Sequence, residues 1–137
     1  LELQSYQEIL PELRRIGAHL VAVSPQTVDN TRKTKIDKSI DFELLSDRNN
    51  DLAKKFNIAY NLGDDVNRSY RDLGIDVGAA NGVRNSDELP VPAAYVIDQN
   101  RKIVYDFVDP NYFNREEPQK ILDELRNIQS GSNRFNI

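Results

Sequence analysis

The residues of this chain that could do chemistry are few. Its 137 residues contain no cysteine and one histidine, His19. Without a thiol, disulfides, thiolate metal sites and thiol catalysis are absent from these residues. His19 stands in the apolar run AHLVAVS (18–24). A lone histidine there is expected as a packed, hydrogen-bonded residue, since no second histidine exists to complete a metal pair. Carboxylates remain. Asp47 to Asp51 (DRNND) has the density of a calcium loop, but not its glycine at the sixth position or its glutamate at the twelfth. A helix-capping cluster is the expected use. Asp64-Asp65 reads as negative charge at a helix N-terminus. Asp109 with Glu116 and Glu117 would suit a carboxylate pair, but nothing in their spacing brings them to one cleft, so a solvated face is expected. Ser24 lacks a G-x-S-x-G elbow and reads as a helix N-cap ahead of Pro25. Tyr60, Tyr70 and Tyr95 have no basic cluster beside them and are expected in a core or interface, not stacked on bases.

Composition narrows the classes further. Hydrophobic residues make up 39% and charged residues 29%, as in a globular domain. The length suits one domain, expected over residues 1–129, followed by a flexible tail at 130–137. The longest apolar run, LVAV, is too short to span a membrane. Net charge is −4 and the basic residues are scattered, which argues against a nucleic-acid partner.

The elements that must position any site follow from periodicity. LELQSYQEILPELRRIG places Leu3, Leu10 and Leu13 on one helical face, with a kink expected near Pro11 and a left-handed stop at Gly17. A buried parallel strand is expected at 18–24, a helix at 25–39 with Val28 and Ile36 inward, and a strand at 40–47. Helices follow at 51–58, with Leu52 and Phe56 paired, and at 64–73. A loop covers 76–90. VPAAYVID and KIVYDFVD form a hairpin about the Gln99-Asn100 turn, and Pro118 opens a last helix. The order predicts an α/β protein with a mixed sheet. Because the chain opens in mid-helix without a cap or a methionine, the sheet is expected to lack its first member.

These segments, ELRRIGAHLVAVSPQT, FELLSDRNNDLAKKFNI, YRDLGID and LPVPAAYVIDQNRKIVYDFVDPNY, resemble the peroxiredoxin-like proteins of the alkyl hydroperoxide reductase/thiol-specific antioxidant (AhpC/TSA, redoxin) family. The resemblance runs from about Leu1 to about Ile128. It implies a thioredoxin-like mixed sheet flanked by helices. It also implies a peroxidatic cysteine at the N-terminus of the first helix, where the dipole favours a thiolate. That motif is absent, so the chain is expected to be truncated just after it. The strand lost with it would lie between the strands at 18–24 and 93–98. By the same resemblance Val91 and Pro92 form an active-site wall, Pro92 being a cis-proline that faces the cysteine motif.

The resemblance implies a thiol-dependent peroxidase that reduces hydrogen peroxide or organic hydroperoxides, reset by a thioredoxin-like protein or a small thiol. It implies no metal or organic cofactor and admits a homodimer. No signal peptide opens the residues present, so a cytoplasmic location is expected, and charge and hydropathy lead to no nucleic-acid or membrane partner. The residues present are expected to be inactive alone, since attack on an O–O bond needs a thiolate. The alternative is a thioredoxin-fold binding or interaction module that never used the cysteine.

Overall fold

In the computed structural model, residues 2–61, 88–109 and 116–135 are described. The helix predicted at 64–73, with Asp64, Asp65 and Tyr70, lies outside them. The described elements are α1 (Glu2–Arg15), β1 (Val21–Ser24), α2 (Val28–Asp37), β2 (Glu43–Ser46), a 3-10 turn (Arg48–Asn50), α3 (Asp51–Lys55), β3 (Ala59–Asn61), β4 (Glu88–Pro90), β5 (Ala93–Ile97), β6 (Ile103–Val108) and α4 (Pro118–Phe135). The chain divides into two compact units, one of Leu1–Leu20 with Pro92–Ile137 and one of Val21–Val91. α4 continues past position 129, and residues 130–135 are helical.

The first unit packs α1 against α4 and α4 against β5. Leu10 and Leu13 of α1, Val96 of β5 and Ile121 and Leu122 of α4 are its buried apolar residues among those described. Burying a leucine side chain is favourable by about 1.5–3 kcal/mol, so this seam outweighs the polar contacts around it. Those contacts are Arg126 reaching Glu12 at 3.3 Å and Gln129 donating its Nε2 hydrogen to the Ile16 carbonyl. α1 runs through Pro11 as one helix. β5 and β6 form the expected antiparallel hairpin, Ala93 opposite Val108 and Val96 opposite Tyr105, with a bulge after Val96. Its turn is longer than the two residues expected. Arg101 takes a left-handed φ of 64°, and the Asp98 carboxylate accepts from the Asn100 and Lys102 amides at 2.8 and 3.0 Å. An aspartate that bonds its own turn in this way stabilises the loop without a glycine.

The second unit begins with the parallel pair β1–β2, in which Val21 stands opposite Glu43 and Ser24 opposite Ser46. α2 connects the two strands and packs on β2. Its cap is Thr27, whose Oγ1 accepts from the Asn30 amide at 3.2 Å; Ser24, expected in that role, ends β1 instead. The inward residue of α2 is Thr31, with its hydroxyl donating to the Thr27 carbonyl at 2.8 Å. Val28 and Ile36, expected inward, are 57% and 71% exposed. Two apolar residues in ten make too weak a stripe to orient a helix, so packing on β2 decides its face. Ile40 and Phe42 are buried but lie ahead of β2, which is shorter than the predicted strand. In α3 the buried residue is Ala53, while Leu52 and Phe56 are partly exposed.

Three helices end alike. After α1 the Gly17 amide bonds Arg14 and the Ala18 amide bonds Leu13. After α2 Ser39 and Ile40 reach Ile36 and Lys35, and after α3 Asn57 and Ile58 reach Lys54 and Ala53. This is the Schellman arrangement, and Gly17, Ser39 and Asn57 carry its left-handed residue at φ 80°, 52° and 58°. Gly17 was legible as a stop; Ser39 and Asn57 are held left-handed by the same pair of bonds.

Among the described residues the strands pair two by two: β1 with β2, β3 with β4 and β5 with β6. The β3–β4 pair was not anticipated. Glu88–Pro90, expected in a loop, is a strand: Asn61 stands opposite Glu88 and Ala59 opposite Pro90.

Candidate functional site

Val91 and Pro92 are delivered by β4. The run LPVPA contains two prolines, so between Leu89 and Ala93 the Val91 amide is the only backbone donor. It donates to the Ile58 carbonyl at 2.6 Å and extends the β3–β4 ladder by one bond. Both residues are half-buried. No peptide bond is cis among the described residues, so the Val91–Pro92 bond is trans and the expected cis-proline is corrected. The physical reason is that a trans X–Pro bond is favoured by about 0.5–1 kcal/mol where no contact selects the cis form.

The start of β4 is tied to the turn before α3. Asn49 and Asn50 are both left-handed, at φ 59° and φ 57°. Asparagine tolerates that region better than most residues, which makes the Asn-Asn pair of DRNND suited to the bend. Asn50 is 4% exposed, and its Nδ2 donates to the Glu88 carbonyl at 3.1 Å. Its buried Oδ1 has no partner among the described residues. Lys54 pairs with the Glu88 carboxylate at 3.4 Å. Asp47 accepts from the Leu52 and Ala53 amides at 2.8 and 3.0 Å through its two carboxylate oxygens, the capping role expected of this cluster. The sequence could have hinted at Asn50 only through its tolerance of a left-handed turn; its bond to Glu88 spans 38 positions.

The other candidates do not converge. His19 is exposed and lies between α1 and β1, not packed within the strand as expected. The Ser24 carbonyl accepts from the Asp47 amide at 2.7 Å. Glu116 accepts from the Tyr105 hydroxyl and from the Glu117 amide, so its carboxylate is committed to fastening the start of α4 to β6. Asp109 is half-buried and Glu117 exposed. Tyr60 is partly exposed on β3. Burial, and then the Asp106 charge, raise the Tyr95 hydroxyl pKa. No group of three or more histidines or carboxylates that could hold a metal ion occurs among the described residues. No helix there is long and apolar enough to cross a membrane.

The Tyr105 hydroxyl is raised to about 12, first by its hydrogen bond to Glu116, then by burial and by the charges of Glu116, Glu124 and Asp106. The native state therefore holds this proton more tightly than the unfolded chain, whose tyrosine titrates near 10.0. The stabilisation is complete below that value and is lost as pH rises through the native one. Ultraviolet titration is expected to show one tyrosine ionising near pH 12, and Glu116→Gln is expected to bring it back toward 10.0. Titration at the ordinary value in the unsubstituted chain would refute the role of Glu116.

The described geometry therefore offers a Val91 amide fastened to Ile58, in a chain that supplies no thiol. The AhpC/TSA family profile matches residues 1–106, and the chain belongs to that family. No curated protein matches it. Among solved structures it resembles peroxidoxin BcpB from Mycobacterium tuberculosis, with a TM-score of 0.68 and 22% identity, over 93% of this chain and 68% of that one. A cysteine-to-serine mutant of PrxQ from Xylella fastidiosa aligns with a TM-score of 0.69 and 16% identity, over 93% and 67%. The mitochondrial 2-Cys peroxiredoxin of Plasmodium falciparum aligns with a TM-score of 0.64 and 19% identity, over 93% and 64%. These likenesses show the fold, which is the thioredoxin-like α/β fold of the peroxiredoxins.

Proposed function

We propose that these residues are the scaffold of a thiol-dependent peroxidase whose nucleophile lies outside them. The observation that carries this reading is the AhpC/TSA match over residues 1–106 in a chain with no cysteine. In the whole protein a cysteine thiolate attacks one oxygen of hydrogen peroxide or an organic hydroperoxide. The O–O bond breaks, the leaving oxygen takes a proton and departs as water or an alcohol, and the sulfur becomes a sulfenic acid. A thiol reductant, a thioredoxin-like protein or a small thiol, condenses with the sulfenic acid, expels water and forms a disulfide. A second reductant thiol cleaves that disulfide and restores the thiolate. Val91 and Pro92 wall the site where peroxide meets the thiolate. The reaction needs no metal or organic cofactor, and we place it in the cytoplasm. The PrxQ and Arenicola marina peroxiredoxin 6 structures are of cysteine-to-serine mutants, which fits chemistry centred on a cysteine.

The test has two arms. The 137 residues alone, given hydrogen peroxide and dithiothreitol, are expected to consume peroxide at the blank rate. The protein isolated from its source is expected to exceed 15.7 kDa in a denatured intact-mass measurement and to consume peroxide in a thiol-dependent manner. A native mass of 15.7 kDa would overturn the peroxidase reading and favour the binding module, which the missing cysteine already suits.

A further inference from the structure

We propose that Asn50 is a positioning residue that sets where β4 delivers Val91. β4 is a three-residue strand, and its last member, Pro90, has no amide hydrogen to give to the ladder. The segment leading to Val91 is thus short of backbone donors and depends on anchors from elsewhere. Two bonds bracket it. At its start the buried Asn50 amide holds the Glu88 carbonyl at 3.1 Å; at its end the Val91 amide holds Ile58 at 2.6 Å. The Lys54–Glu88 pair is exposed enough to add little, whereas the Asn50 amide, itself buried, would lose its bond without full replacement by water. The left-handed backbone of Asn50, at φ 57° and ψ 31°, is what aims its side chain across 38 positions at β4. The kinetic consequence, though not the positioning itself, rests on reading Val91 and Pro92 as the wall of a peroxidase site.

Asn50→Gly keeps the left-handed backbone and deletes the amide, so it is the variant best able to fold. By amide hydrogen exchange in the 137-residue chain, the Val91 amide of Asn50→Gly is expected to exchange about tenfold faster than in the parent, while the Thr31 amide of α2, bonded to Thr27 in the same unit, stays within about twofold. Asn50→Asp keeps the side-chain shape and replaces the donor with an oxygen, and is expected to give the same local pattern. The inference is overturned if Val91 exchange stays within about twofold of the parent, or if Val91 and Thr31 accelerate together as in a loss of stability of the whole unit. In the whole protein Asn50→Gly is expected to lower kcat/KM for hydrogen peroxide about tenfold through KM, with kcat retained. If the unsubstituted whole protein consumes no peroxide, the wall reading fails, and the exchange measurement alone decides the role of Asn50.

Discussion

Phe42→Ala is expected to remove about 3–5 kcal/mol of unfolding free energy, the usual range for emptying a buried phenylalanine site. Phe42 is 5% exposed and lies just ahead of β2, in a unit whose other buried apolar residues, among those described, are Ile40 and Ala53. Domains of this size are stable by about 5–15 kcal/mol in all, so the variant approaches the limit of folding. Urea unfolding followed by circular dichroism measures it. The comparison is Ile36→Ala on α2, a larger change in intrinsic hydrophobicity than most surface substitutions. Because Ile36 is 71% exposed, it is expected to shift stability by less than about 0.5 kcal/mol. Equal losses in the two variants would mean that α2 packs on the face its sequence first suggested.

The second large effect lies in the other unit. Leu122→Ala in α4 and Leu13→Ala in α1 are each expected to cost about 2–5 kcal/mol, since both leucines are 2% exposed where the two helices meet. Arg126→Ala, which removes the 3.3 Å pair with Glu12, is expected to cost less than about 1 kcal/mol because that pair faces solvent. The urea midpoints of the three variants decide between packing and charge as what joins α1 to α4. A loss in Arg126→Ala as large as in Leu122→Ala would show that the packing account is wrong.

The sequence by itself determined the elements built from local repetition. α1 and α4 announce themselves through apolar residues at helical spacing, and the β5–β6 hairpin through alternation on either side of a polar turn. Gly17 marks a helix end because a positive φ costs glycine nothing. The family was also legible, in the order and spacing of short segments, as was the absence of any thiol. What tertiary structure alone decided lies where two distant segments choose each other. The β3–β4 ladder joins Asn61 to Glu88 across a stretch that no local pattern spans, and it enlists a proline that by propensity argued for a loop. α2 shows Val28 and Ile36 to solvent and buries Thr31 because β2, not its own weak stripe, sets its face. The Val91 amide reaches Ile58, a partner its own neighbours do not name. Asn50 looked like one polar residue among five in DRNND, and only the fold shows it buried and bonded to Glu88. Local patterns encode which backbone each segment prefers; which side chains lose contact with water depends on what packs against them.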